Sequence, residues 1–227
     1  DMKFTNTTNI NQNSSKRLPY QYFLYFSIKQ CITKSEQKRI ESEITTNFKI
    51  DLDIFQKNCQ EGENDSYICK LIRDDSIENF IIYVNRTNHP LNAKIEESLF
   101  ETNRFLVDKQ PTLIEYAAFF GSIQIFKYLQ LNNVQIETSI WKYAIHGRNP
   151  ELIHQIEEIE LKPEKKTSFI LKFTYYNKLN FKDLLSESIQ CHHNAIAKYI
   201  KDYYLCNDNG NDFIFTCLNC YNYEFLP

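Results

Sequence analysis

The chain has only four glycines, six prolines, one methionine and one tryptophan in 227 residues. So few glycines exclude a sheet protein with many tight turns, because such turns draw on glycine for positive φ. Alternation of apolar and polar residues, the mark of a half-buried strand, never lasts more than a few positions. Long apolar runs are missing as well. The longest near the start, Tyr22-Phe23-Leu24-Tyr25-Phe26, is too short to span a bilayer, and no charged-then-apolar signal precedes it. Charge of one sign is not in surplus either: a net charge of −3 and a pI near 6 give no footprint for nucleic acid or an anionic membrane. The basic cluster Lys162-Pro163-Glu164-Lys165-Lys166 therefore reads as a solvated turn. No Walker loop, dinucleotide fingerprint or paired catalytic carboxylate motif occurs, so no cofactor is expected.

What is present is apolar bulk, with 17 phenylalanines and 15 tyrosines, enough to close the gaps between short helices. The seven cysteines are odd in number and lack the spacing of a disulfide scaffold, which fits a reducing compartment. Asn-x-Ser/Thr sequons at Asn6, Asn13, Asn64 and Asn85 point the other way, but they arise by chance in an Asn-rich chain. The expectation is a soluble, intracellular and cytoplasmic protein.

Residues 1–18 are rich in Asn, Thr and Ser and read as a flexible tail. Residues 19–65 read as an N-terminal helical extension. Within it, Thr33-Lys34-Ser35-Glu36 has the form of a capping box and opens a helix carrying Ile40, Ile44 and Phe48 at i, i+4, i+8. Glu61-Gly62-Glu63-Asn64-Asp65 breaks the pattern, and residues 66–227 resume it. The stretch SYICKLIRDDSIENFIIYVN predicts two short helical segments.

That second region repeats. LIEYAAFFGSIQIFKYL (113–129) aligns with IWKYAIHGRNPELIHQI (140–156), placing Ala117 on Ala144, Ile125-Phe126 on Leu152-Ile153 and Leu129 on Ile156. A third copy, LSESIQCHHNAIAKYI, puts Ser188 at the small position and Ile196-Ala197 and Ile200 at the apolar ones. An irregular insertion from about Glu164 to Lys182 separates it from the second. A weaker copy upstream uses Ile72, Phe80, Ile81 and Val84. Each unit predicts a helix, a tight turn and a second helix. The small residues Ala117 and Ala118 allow close packing on a neighbouring unit. Gly121 is placed to end the first helix in the left-handed conformation, and Ile125, Phe126 and Leu129 form the buried face of the second.

At Thr112, Ile114, Ala117-Ala118 and Gly121 the chain resembles ankyrin repeats, with Leu113 and Glu115 where that family has proline and histidine, and Arg148 and His192 in later copies where it has glycine. More closely, PTLIEYAAFFGSIQIFKYL, WKYAIHGRNPELIHQIEE and SIQCHHNAIAKYI, with DDSIENFIIYVNRTN and the closing YNYEFLP, are similar to a divergent ankyrin-like family of unknown function abundant in parasitic protozoa. The resemblance covers about residues 66–227. It implies an all-α fold, a helical solenoid of divergent helix-turn-helix units with an N-terminal helical extension. The function it implies is a non-enzymatic scaffold or adaptor that binds another protein, with self-association as a further possibility.

In that register Phe119 and Phe120, with His146 and Gln190 at equivalent places, face the concave surface that this family uses for partners. Alternatively, the two phenylalanines pack under the N-terminal helices. A competing reading rests on Cys191, His192, Cys217 and Cys220, with Cys206 nearby, whose thiols and imidazole suit a zinc-stabilised or redox-sensitive regulator. A third is a cysteine-dependent effector enzyme with His192 or His193 as base. His146 and His154 read as surface or capping residues and Glu157-Glu158-Ile159-Glu160 as a solvated helix end.

Overall fold

The structure, a computed structural model, describes residues 20–161, 180–205 and 212–226. The tail 1–18, the sequons Asn6 and Asn13, the Lys162–Lys166 cluster, most of the insertion and Cys206 lie outside the described residues. Thirteen α-helices and no β-strand occur among those described, so the all-α expectation is met. None of these helices is long and apolar enough to cross a membrane.

The chain forms two compact units. Among the described residues, the first combines those up to Ser66 with Glu96–Gln110. It contains α1 (Tyr20–Ile28), α2 (Lys34–Glu43), α3 (Leu52–Glu61) and α6 (Arg104–Lys109). Its core is Tyr22, Tyr25, Ile40, Ile44, Phe55 and Phe100. The expected boundary at residue 66 assigned Glu96–Gln110 to the second region. This segment belongs with the first because the Phe100 ring packs edge-on against Phe55 at 5.3 Å and both are buried. The thread is secured by polar bonds: Thr102 donates its N–H and its hydroxyl to Gly62 O, at 2.9 and 2.7 Å. Asn64 Nδ2 donates to Glu96 O at 2.8 Å. That amide is 3% exposed, so the sequon at Asn64 is closed to glycosylation in the folded chain.

The capping box at the start of α2 forms as its sequence predicts: Glu36 N–H donates to Thr33 Oγ1, and Thr33 N–H to Glu36 Oε2. The helix continues into a π-helical turn, Ile44–Phe48, where the Thr45 and Thr46 hydroxyls donate to carbonyls of the preceding turn. Nearby, Glu41 accepts from the Tyr25 hydroxyl at 2.6 Å and pairs with Lys29 at 2.7 Å. The Lys29 partner first, then the Tyr25 hydroxyl, lowers the Glu41 pKa. A carboxylate with a depressed folded pKa contributes stability that is fully present above its unfolded value, about 4.3, and lost as pH falls through the folded one. Thermal melts of the parent are therefore expected to weaken below that pH, and Glu41→Gln is expected to reduce this acid-side slope. An unchanged slope in the variant would remove Glu41 as a contributor.

The second unit comprises Tyr67–Ile95 and the described residues from Pro111 onward. Its helices are α4 (Tyr67–Arg73), α5 (Ile77–Thr87), α7 (Leu113–Phe120), α8 (Ile123–Leu131), α9 (Ile140–Gly147) and α10 (Pro150–Leu161), then α11 (Phe181–Gln190), α12 (Asn194–Tyr204) and α13 (Asp212–Asn219). Most residues expected at the small and apolar repeat positions are buried, among them Ala117, Ala144 and Ser188 on first helices and Ile125, Phe126, Leu129, Leu152, Ile153, Ile156, Ala197 and Ile200 on second helices, whereas Ile81 and Ile196 are only half-buried. The first helices pack in sequence, α4 on α7, α7 on α9, α9 on α11 and α11 on α13.

One kind of turn closes each first helix. It carries a residue of positive φ: Asp75 (45°), Gly121 (69°), Arg148 (50°), His192 (56°) and Tyr221 (57°). In four of the five, the next residue donates its N–H to a carbonyl five positions back: Ser76 to Leu71, Ser122 to Ala117, His193 to Ser188 and Asn222 to Cys217. That is the closure of the Schellman motif. Only one of these turns uses glycine, which is why the pattern is hidden in the sequence. Cys217 thus takes the small buried position of a further first helix, α13.

Side chains tie each turn to the next. Ser122 Oγ donates to Ile72 O at 2.5 Å, Asn149 Nδ2 to Gly121 O at 3.0 Å and Asn222 Nδ2 to Ile189 O at 2.9 Å. The Asp75 carboxylate accepts from the N–H groups of Gln124 and Ile125 and so caps α8 from another turn. At the head of α7, Glu115 completes a capping box with Thr112, while Leu113 is fully buried. Between neighbouring turns the backbones nearly touch: a Cβ on Gly147 would lie 2.2 Å from Ala118 O.

Candidate functional site

The packing of α7, α9 and α11 gathers the polar groups that the sequence scatters. His146, near the end of α9, stacks against Phe119 of α7 with centroids 4.8 Å apart and planes 24° apart. Its Nε2 lies 2.9 Å from Glu187 Oε1 of α11. Cys191 follows Glu187 by four residues, so the two side chains share a face at the end of that helix. Cys191 Sγ lies 3.6 Å from His146 Nδ1, 3.7 Å from His146 Nε2 and 3.9 Å from Glu187 Oε1. All three residues are half-buried. Burial first, then the Glu187 carboxylate, pushes the Cys191 thiol up to about 12.

Beside this cluster, Arg148 Nε donates to His193 Nε2 at 3.0 Å. Burial first, then the Arg148 charge, pushes the His193 pKa down to about 4. A nitrogen that accepts from a guanidinium holds no proton, so His193 is a neutral ring that locks the Arg148 turn onto the His192 turn.

The predicted site residues divide accordingly. Phe119 is 9% exposed, so it belongs to the core and is not an exposed anchor. Phe120 is half-buried between Tyr116 and Phe119, with the Arg73 guanidinium 6.0 Å over its ring. Gln190 is exposed. His146, expected at the surface, is 16% exposed and engaged with Phe119 and Glu187. His154 is exposed and lies beside Glu157 and Glu158.

The four residues of the alternative zinc reading do not come together as a set. Among the described residues the one group of three metal-ligating side chains is His146, Glu187 and Cys191. Cys191 is shared between the two sets. His192 donates from Nε2 to Cys220 O at 3.0 Å, so that nitrogen is turned to backbone. Cys217 is fully buried in its helix packing, and burial raises its thiol pKa. The Cys-x-x-Cys spacing is produced by a helix end, with Cys217 facing inward and Cys220 preceding the left-handed Tyr221. Sequence reasoning missed Glu187; its i, i+4 relation to Cys191 was the available signal.

A thiol–imidazole catalytic pair is not supported by this geometry. A sulfur nearly equidistant from both ring nitrogens lies along the in-plane direction of neither, so the ring cannot take its proton through an aligned hydrogen bond. Of the two bases the sequence offered, His192 turns Nε2 to Cys220 O and His193 is occupied by Arg148. Comparison with known protein families, with curated proteins and with solved structures found no match.

Proposed function

We propose that this protein is a non-enzymatic protein-binding module, a solenoid of divergent ankyrin-like units that acts as an intracellular scaffold or adaptor. The recurrence of one turn geometry in successive helix pairs carries the reading, because a stack of like units presents an extended surface suited to another protein. The Thr112–Glu115 capping box supports the ankyrin-like register: Glu115 meets Thr112 where that family has histidine. The positive φ of Arg148 and His192 supports it further, since both stand at the family's glycine position.

The partner surface in this reading includes Phe120 and Gln190, with Phe119 and His146 supporting it from beneath. The test is affinity capture of the full chain from native cell extract, read by mass spectrometry, against a Phe120→Ser, Gln190→Ala double variant. Phe119 is left intact, because its truncation would break the core. A partner held by the parent and lost by a variant of unchanged circular dichroism is the expected result. Recovery of the same partners by both would place binding elsewhere and overturn this surface. Light scattering across concentrations tests whether the partner is a second copy of the chain.

A further inference from the structure

We infer that His146, Glu187 and Cys191 form a binding site for one divalent transition metal of the zinc class, bridging α9 and α11. The donors are an imidazole nitrogen, a carboxylate oxygen and a thiol sulfur, the ligand types zinc takes. Their spacing fits. For tetrahedral zinc with ordinary bond lengths, donors sit about 3.3 Å apart for N and O, about 3.6 Å for S and N and about 3.5 Å for S and O. The corresponding separations here are 2.9, 3.7 and 3.9 Å. Each differs by a few tenths of an ångström or less. Sγ also lies 3.6 Å from Nδ1, so the Cys191 side chain must rotate toward the Nε2 lone pair for all three donors to meet one ion.

The surroundings restrict those rotations. His146 is held by the Phe119 ring, and Glu187 and Cys191 are one helical turn apart on α11. The mixture of a thiol with harder ligands disfavours calcium and magnesium, which take oxygen donors only. On binding, the metal takes the lone pair of Nε2, the ring keeps its proton on Nδ1, and the thiol proton passes to solvent. Thiolate and carboxylate then neutralise the divalent charge. Three protein donors leave a fourth position for water. The site would act as a staple between two first helices, adding stability to the second unit in proportion to metal occupancy.

Cobalt(II) titration of the chelator-treated full chain, kept reduced, tests this directly. Expected are intense tetrahedral ligand-field bands and a thiolate-to-cobalt charge-transfer band, saturating at one equivalent and abolished by zinc. Cys191→Ser should remove the charge-transfer band. Both Cys191→Ser and Glu187→Gln should weaken binding beyond the roughly 10- to 100-fold that loss of a residue merely orienting a ligand costs. Cys191→Ser is nearly isosteric, and Trp141 emission confirms that each variant is folded. A weak octahedral spectrum without a thiolate band would overturn the inference. So would a band that survives Cys191→Ser but disappears in Cys220→Ser, which would move the metal to the terminal cysteines.

Discussion

Replacing Gly147 by alanine is expected to destabilise the second unit by about 3 kcal/mol, at the upper end of ordinary overpacking costs. Helix propensity alone predicts the opposite, since alanine is favoured over glycine in a helix by about 1 kcal/mol. Geometry decides the sign. The added methyl would meet the Ala118 carbonyl at 2.2 Å and the Gly121 Cα at 3.2 Å. Both obstacles are backbone, so no side-chain rotation relieves them and α9 must move away from α7. That shift would also disturb the Asn149 bond to Gly121 O and the His146–Phe119 stack. Thermal unfolding followed by Trp141 emission should show a midpoint lowered by roughly 6–12 °C. Trp141 suits the measurement because it is the chain's sole tryptophan, is buried, and lies in the second unit. A variant more stable than the parent would show that the two turns do not approach so closely.

The second large effect falls on the first unit. Phe55→Ala is expected to cost about 3–5 kcal/mol, the range for deleting a buried aromatic ring. Phe55 is fully buried and is met by Phe26 at 6.4 Å, Phe48 at 5.5 Å and Phe100 at 5.3 Å. The cavity left behind would be lined by these three rings. Chemical denaturation monitored by far-UV circular dichroism measures the loss. Limited proteolysis adds a local readout: with Phe100 deprived of its partner, cleavage within Glu96–Gln110 should accelerate. Unchanged protection of that segment would mean that the Gly62–Thr102 and Asn64–Glu96 bonds hold it without the aromatic contact.

The recurrent turns set how much of this was legible. Gly121 announced a left-handed helix end because glycine alone adopts it without steric cost. Asp75, Arg148, His192 and Tyr221 adopt it too, but residues with a Cβ carry no such mark. Their conformation is imposed by the helices on either side and by bonds such as Asn222 to Ile189 O, which join residues far apart in the chain. The same reason hid the role of Cys217. As a sequence it is half of a metal-like spacing; in the fold it is a small residue filling a tight seam. The candidate site was half visible, since Glu187 and Cys191 lie one helical turn apart, whereas His146 reaches them only after α9 and α11 pack.

By itself the sequence determined what depends on near neighbours: the helical period, the capping boxes at Thr33 and Thr112, the small-residue seam at Ala117 and the buried faces of the second helices. These arise from interactions within a turn or two of chain. Only the tertiary structure decided the two-unit division, the burial of Phe119, the backbone contact at Gly147 and the convergence of His146, Glu187 and Cys191. Each of these depends on which surfaces meet, and that choice is made by packing across tens of residues.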